Sequence, residues 1–285
     1  MNVKTQAEAL HWASSFLKKL NRDEHVAKLL LFHHFNVNEH DYMMTLHDKV
    51  EGEVLTHFIR DVKEYGETGK PVQHILGQAY FYGRSFFVNE NVLIPRFDTE
   101  FLVEHVISYV NKQKEPVTIV DVGTGSGIIA ITLAKELKDV KIYATDISEA
   151  ALEVARKNAQ LHDVQVEFMQ ANYLSSMLEQ KIYPNLIVSN PPYIELGAQE
   201  ELSDTVKNFD PPLALYGGDT GLVAYEAIVD QLKGWPHPAH LALEIGYNQA
   251  QEVTNLLEKN LPCTETGVIQ DFGGHDRVVY CSFKK

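Results

Sequence analysis

Apolar side chains recur every three or four positions through residues 1–65, and from residue 78 onward that spacing gives way to short β-rich runs alternating with helical stretches. The first spacing marks one face of a helix. Thr5 and Glu8 stand at capping-box spacing, so a hydroxyl and a carboxylate can satisfy the first free amides of a helix. Leu10, Ala13, Leu17 and Leu20 follow as one stripe. A second helix is predicted after Asn21, burying Val26, Leu29, Leu30 and Phe32. A later one carries Val54, Leu55, Phe58, Ile59 and Val62 until Gly66 and Gly69 stop it. With no strand signal between them, these pieces predict a small helical bundle.

From Gln78 to Ile94 the chain turns aromatic and β-branched, with Gly83 and Asn89-Glu90-Asn91 as turn material, which predicts a hairpin joining two domains. Pro95 and Thr99 then precede a helix with apolar positions Phe101, Leu102, Val106 and Ile107. Strands are predicted at Val117–Val122, Lys141–Thr145, Val164–Met169, Leu186–Ser189 and Leu241–Ile245, separated by helices such as Ile128–Leu137 and Glu149–Leu161. Such alternation means parallel strands covered by helices, an α/β fold. After a helix at Asn248–Lys259, the runs Thr264–Asp271 and Arg277–Phe283 have only the turn Phe272-Gly273-Gly274-His275 between them, so they pair antiparallel and close the sheet at one edge. The predicted organisation is a helical bundle over residues 1–75, a β-hairpin linker over 76–94 and an α/β domain over 95–285.

Composition narrows the function. The 285 residues are 45% hydrophobic and 22% charged, which excludes a disordered or collagen-like chain. Net charge is −14, and it is unevenly placed: residues 1–75 carry 11 acidic and 9 basic groups, the remainder 28 and 16. An acidic surface opposes non-specific binding to phosphate backbones or anionic lipid, so nucleic acid and membrane are poor expected partners. Cys263 and Cys281 are too far apart for a metal knuckle and too few for a disulfide framework. With no long apolar run and no signal-peptide core, a soluble cytoplasmic protein is expected. Eight of the 13 histidines lie in the first 75 residues, among them His33, His40 and His47. Seven-residue steps do not give helical metal-ligand spacing, and no metal is expected.

Asp121-Val122-Gly123-Thr124-Gly125-Ser126-Gly127 stands between the first long strand and its helix. Glycines there let the backbone turn and approach a ligand, and the helix start offers free amides. Asp146 ends the next strand, 19 residues after Gly127, where a carboxylate can accept from a ribose diol. Read from Gly125, the loop also satisfies G-x-G-x-x-G/A, so a nicotinamide dehydrogenase stays open on this loop alone. The whole string D-x-G-x-G-x-G resembles motif I of class I S-adenosylmethionine-dependent methyltransferases.

The fourth strand runs into Ser189-Asn190-Pro191-Pro192-Tyr193, at the edge where open α/β sheets bind ligands. Two prolines fix two φ angles and remove two donors, leaving rigid acceptors. Asn190 Oδ1, the Pro191 carbonyl and the flat face of Tyr193 make a slot for a planar NH2 group. An amide or ring amine is a poor nucleophile because its lone pair is delocalised; holding both N–H bonds favours the geometry of attack.

N-P-P-Y after D-x-G-x-G-x-G is similar to amino-group methyltransferases, including adenine-N6 and protein-glutamine enzymes. Pro71-Val72-Gln73-His74-Ile75-Leu76-Gly77, Ile94-Pro95-Arg96-Phe97-Asp98-Thr99-Glu100, Ala214-Leu215-Tyr216-Gly217-Gly218-Asp219-Thr220-Gly221-Leu222 and Leu243-Glu244-Ile245-Gly246-Tyr247 resemble the motifs of the release-factor glutamine methyltransferases, the PrmC/HemK family. The resemblance implies a class I methyltransferase (Rossmann-like) fold, a seven-stranded sheet with an antiparallel terminal hairpin behind a small helical N-terminal domain that recognises the protein substrate. It implies S-adenosylmethionine contacts at Gly123, Thr124, Gly125, Ser126, Gly127, Asp146 and Asn190, and a substrate glutamine held by Asn190, Pro191, Pro192 and Tyr193. The substrate would be the glutamine of the Gly-Gly-Gln loop of peptide-chain release factors. Where relatives often have Asp followed by an aromatic or aliphatic residue, this chain has Asn172-Tyr173, so the adenine-side contact falls to Tyr173 stacking. Asp210-Pro211 replaces an expected Glu-Pro and Phe97 a common proline, both read as surface or loop changes. An adenine-N6 enzyme would want a basic channel, which a net charge of −14 opposes. A non-catalytic cofactor-binding scaffold would have no need of Asn190, and a dehydrogenase would leave N-P-P-Y idle.

Overall fold

The computed structural model describes residues 3–284, and its contacts divide the chain into two units. The first holds residues up to Gly77 together with Ser203–Phe209. Its helices are α1 (Gln6–Lys19), α2 (His25–Phe35), α3 (Glu39–Thr45), α4 (Gly52–Thr68) and α5 (Val72–Leu76). Thr5 Oγ1 accepts from Glu8 N at 3.2 Å, as the capping spacing predicts, while the Glu8 carboxylate accepts from Lys4 N at 2.7 Å, one residue before the cap.

The bundle core is Ala9, Ala13 and Leu17 of α1, Val26, Ala27, Leu30 and Leu31 of α2, and Phe58 and Val62 of α4. Leu29 is exposed, contrary to the sequence reading. At about 100° per residue, three consecutive leucines cannot share one face, and the pair Leu30 and Leu31 completes the stripe begun by Val26 and Ala27. Gly66 does not stop α4 but lies inside it, because a Cβ there would come within 2.7 Å of Phe16. His34 Nε2 lies 2.8 Å from Asp61 Oδ2, whose other oxygen takes Arg60 Nε at 2.7 Å, so this histidine serves the bundle. Among the described residues no group of three His, Cys, Asp or Glu could hold a metal ion.

The second unit begins with a hairpin of β1 (Gln78–Phe81) and β2 (Arg84–Phe87), turned by Tyr82 and Gly83, both at positive φ. The hairpin is shorter than the predicted linker. Residues 78–94 belong to this unit, because Asn158 donates to Phe87 O at 2.9 Å and accepts from Phe87 N at 2.7 Å, and Val88, Val92 and Ile94 pack with Ala151 and Val154. After α6 (Thr99–Val110) come β3 (Val117–Val122), α7 (Ile128–Glu136), β4 (Val140–Asp146), α8 (Glu149–Leu161), β5 (Glu167–Gln170), α9 (Ser175–Glu179) and β6 (Leu186–Ser189). A 3₁₀ turn at Leu196–Glu201, α10 (Asp204–Phe209, of the first unit), α11 (Pro212–Leu215) and α12 (Val223–Leu232) lead to β7 (Ala239–Glu244), α13 (Ala250–Asn260), β8 (Cys263–Gln270) and β9 (Asp276–Phe283).

The seven strands lie in the order β5-β4-β3-β6-β7-β9-β8, parallel from β5 to β7, with β9 inserted antiparallel between β7 and β8. This is the Rossmann-like class I arrangement with a terminal hairpin. Every residue of β6 and β7 is buried, as strands covered on both faces require. The order puts β3, β4 and β6 side by side, so their carboxyl ends bring the glycine loop, Asp146 and Asn190 to one edge. Cys263 is half-buried and Cys281 buried, both free thiols. No described helix is long and apolar enough to cross a membrane.

Candidate active site

The glycine loop is held in place by hydrogen bonds from its backbone. Gly123 N and Thr124 N both donate to Thr145 O, at 2.8 and 2.9 Å, and Gly125 N donates to Asp146 Oδ2 at 2.9 Å. Gly123, Gly125 and Gly127 all have positive φ, where a side chain is strained. A Cβ at Gly123 or Gly125 would meet nothing within 4 Å, so the open space beside them faces the cavity they line. Gly127 instead packs on α8, where a Cβ would come within 3.1 Å of Ala155 Cβ.

Asp121 holds the loop from below and is wholly buried. Its Oδ2 accepts from Thr124 Oγ1 at 2.6 Å and from Ala130 N at 3.2 Å, whereas Oδ1 has no hydrogen-bond partner. Burial pushes its carboxyl up from 3.8 to about 7, against the pull of those two donors. The folded protein therefore keeps this proton between the two values while the unfolded chain has lost it, so stability contributed by the neutral form declines as pH rises through that window. Asp121→Asn keeps an acceptor for Thr124 and cannot ionise. Its gain in Tm over wild type is expected to grow from pH about 4 to about 7 and then level off; a difference that stays constant in calorimetry across that range would contradict the buried proton.

A cavity of about 420 Å³ opens at the carboxyl ends of the strands. Of the residues singled out by sequence, Gly123, Thr124, Gly125, Ser126, Asp146, Tyr173, Asn190 and Pro192 line it. Gly127, Pro191 and Tyr193 do not. Tyr193 is half-buried and packs against the core of the sheet, where burial raises its hydroxyl far above the ordinary value. Tyr216, quoted from the sequence only as part of a motif, lines the cavity. Tyr173 reaches the cavity from a left-handed backbone, φ 56°.

Asn190 sits at the end of β6, whose Ser189 Oγ donates to Val122 O at 2.6 Å and fixes the two strand ends together. Asn190 Nδ2 donates to Thr99 Oγ1 at 3.1 Å, and no described residue donates to its Oδ1. The amide oxygen is thus left as an acceptor at the cavity wall. Behind the turn lies the Ala214–Leu222 segment, whose role the sequence did not reveal. Ile194 N donates to Leu215 O and Gly217 N to Ile194 O, both at 2.9 Å, and Gln249 Nε2 donates to Tyr193 O at 3.1 Å. These bonds hold the backbone at Tyr193 and Ile194, where the N-P-P-Y turn ends.

Asp210 corrects another reading. Far from being a surface change, it is buried and receives Arg96 Nη2 at 2.7 Å, which anchors a second cavity-lining side chain. Phe97 is 80% exposed, as a loop change should be. Thr99 and Arg96 entered the sequence reading only as part of a motif, because their partners lie 91 and 114 residues away.

These residues fit a nucleoside cofactor with a cationic centre. The loop offers a close backbone, Asp146 an acidic group with free lone pairs, and Tyr173 an aromatic surface. The chain matches the model of the methyltransferase small domain over residues 97–209 and that of the PrmC N-terminal domain over residues 8–77. The release factor glutamine methyltransferase of Bacillus anthracis is 38% identical over 280 residues, covering 97% of this chain and 99% of that protein. That of Bacillus subtilis is 37% identical, covering 97% of each. Among solved structures, the catalytic domain of hMettl16 in complex with MAT2A 3'UTR hairpin 1 superposes with a TM-score of 0.53 at 15% identity, covering 81% of each chain, a likeness of fold alone. Near-complete coverage by such relatives means that the chain belongs to the release factor glutamine methyltransferase family and is an S-adenosylmethionine-dependent methyltransferase.

Proposed function

We propose that this enzyme methylates the side-chain amide nitrogen, N(5), of the glutamine in the Gly-Gly-Gln loop of peptide-chain release factors. The observation that carries the reading is the Asn190 amide, its nitrogen held by Thr99 and its oxygen left to accept at the cavity wall. S-adenosylmethionine, when bound, supplies a methyl carbon made electrophilic by the adjoining sulfonium. Gly123 to Ser126, Asp146 and Tyr173 hold that cofactor, with Asp146 the acceptor for its ribose. Asn190 Oδ1 takes one N–H of the substrate amide and the Pro191 carbonyl the other, which turns the nitrogen lone pair out of conjugation and towards the methyl. Such placement replaces a random encounter by a near-attack geometry. The substrate nitrogen then sheds a proton to water, so no strong base is needed. Tyr193 ends the turn and packs against the core of the sheet.

The helical unit of residues 1–77 is the part we assign to gripping the release factor. The reading carries a cytoplasmic location and no direct nucleic-acid partner with it, in keeping with a net charge of −14. If the release factor presents a basic face, docking is expected to weaken as salt rises. The test incubates the purified enzyme with labelled S-adenosylmethionine and, separately, release factor and duplex DNA. Label is expected in the release factor. Label in the DNA alone would overturn the reading in favour of an adenine-N6 enzyme.

A further inference from the structure

Glu244 is a buried carboxylate beside the slot that the mechanism above leaves unused. It ends β7, and the parallel register Ser189↔Leu243 sets it level with Asn190, one residue further along each strand. It is 1% exposed, and its Oε2 has no hydrogen-bond partner. The groups facing it come from every neighbouring element. Thr99 and Asp98 stand at the start of α6, Asn190 and Tyr193 after β6, Tyr225 on α12 and Arg277 on β9. Arg277 is engaged elsewhere, with Asp271 Oδ2 at 2.8 Å and Asp98 Oδ2 at 3.2 Å. Tyr225 Oη donates to the Glu244 main-chain oxygen at 2.9 Å, not to the carboxylate.

A carboxylate buried without a contacting cation costs several kcal/mol, roughly, relative to a neutral side chain. Its donors decide what it does. Thr99 Oγ1 already accepts from Asn190 Nδ2, so the Thr99 hydroxyl hydrogen must point away from Asn190. The Thr99 and Asn190 side chains both favour the charged form of Glu244, whose buried carboxylate is the acceptor available to that hydroxyl. A carboxylate accepts only, so the chain from Asn190 through Thr99 to Glu244 has one direction. Without it, Thr99 can donate to Asn190 Oδ1, and the amide flips to present N–H groups to a substrate that also brings N–H groups.

We propose that ionised Glu244 is the positioning residue of the slot, fixing through Thr99 the orientation in which Asn190 turns its oxygen to the substrate amide. The negative charge behind Asn190 also strengthens that acceptor as positive charge develops on the substrate nitrogen. The kinetic part of this inference rests on the glutamine-methylation reading; the orientation of Asn190 does not.

Burial pushes Glu244 up from 4.5 to about 7, with Asp98 adding to the rise and Arg277, Thr99 and Asn190 opposing it. The oriented state is therefore the high-pH one. The experiment follows the Asn190 side-chain amide by nuclear magnetic resonance in isotope-labelled enzyme, assigned by its disappearance in Asn190→Ala. In wild type the signal is expected to shift with a midpoint near pH 7, and in Glu244→Gln to stay fixed. Glu244→Gln keeps the shape but can offer Thr99 either an amide oxygen or an N–H, so the direction of the chain is no longer fixed, while the protein folds and binds S-adenosylmethionine within about twofold of wild type. Its kcat on release factor at pH about 8 is expected to fall about tenfold with little change in KM, and the rise of kcat through pH 7 to vanish. Because Asp121 is also pushed to about 7, the variant is the control that separates the two groups. A pH-dependent Asn190 signal that persists in Glu244→Gln overturns the proposal. An enzyme with the expected Asn190 signals that labels no release factor leaves the positioning role standing and defeats the substrate reading instead.

Discussion

Replacing Asn190 by alanine is expected to lower methyl transfer to a release factor by about 10²–10⁴-fold while S-adenosylmethionine affinity stays within about tenfold. The asymmetry follows from where the side chain is tied. Its nitrogen is held by Thr99, and its oxygen is a free acceptor at the cavity wall, whereas the cofactor loop is held by Thr145 O, Asp146 and Asp121 without help from Asn190. Alanine removes the group that orients the amide to be methylated and leaves the loop intact. Because orientation matters at the moment of attack, the loss should fall on kcat more than on KM. Single-turnover transfer, with cofactor binding measured separately by calorimetry, separates the two. Near wild-type transfer would refute the slot, and an equal loss of cofactor affinity would make Asn190 a cofactor ligand first.

The second large effect is expected at Gly217, which touches no ligand. A Cβ there would lie 2.6 Å from Pro192 O, 2.7 Å from Gly221 O and 2.9 Å from Gly221 C. All three are main-chain atoms, so no flexible side chain can swing away. Valine must push the N-P-P-Y turn and the Gly217–Gly221 loop apart, breaking the bond from Gly217 N to Ile194 O. We expect Gly217→Val to cost about 2–3 kcal/mol of stability. Displacing the slot by about 1 Å should lower transfer about 10²-fold on top of that. Gly197 is the matched control, because a Cβ there meets nothing within 4 Å. Gly197→Ala should leave Tm and kcat close to wild type; equal losses in both variants would mean that the clamp behind N-P-P-Y has no special role.

What the sequence made legible was set by local backbone chemistry. The glycine loop and the double proline each constrain several φ angles within a few residues, so their form could be read without knowing the rest of the fold. Strands covered on both faces were read well for a related reason: Val117–Val122 and Leu186–Ser189 are short runs dominated by β-branched and aliphatic residues and bounded by turns, and they match β3 and β6. The edge strand was harder. Residues Val164–Met169 were expected to pair, but β5 occupies Glu167–Gln170, because at the margin of a sheet the ladder to β4 alone decides where pairing begins.

The supporting parts of the site were not legible. Thr99, Asp210 and Glu244 are ordinary polar letters whose meaning depends on partners brought close by the strand order. Nothing near Asp210 says that Arg96, 114 residues earlier, will reach it. Tyr193 is a related case: the sequence reading gives its flat ring to the slot, and the strand order also packs it, half-buried, against the core of the sheet. The Ala214–Leu222 motif was visible as a motif and opaque as a device until its hydrogen bonds to Ile194, the residue that follows N-P-P-Y, were seen.

The most direct measurement is peptide mass mapping of a release factor after incubation with S-adenosylmethionine and either wild-type enzyme or Asn190→Ala. One added methyl group is expected on the side chain of the glutamine in the Gly-Gly-Gln loop with the wild type and none with the variant. A methyl group on another residue, or equal modification by both proteins, would contradict the assignment of Asn190 as the group that presents the glutamine amide.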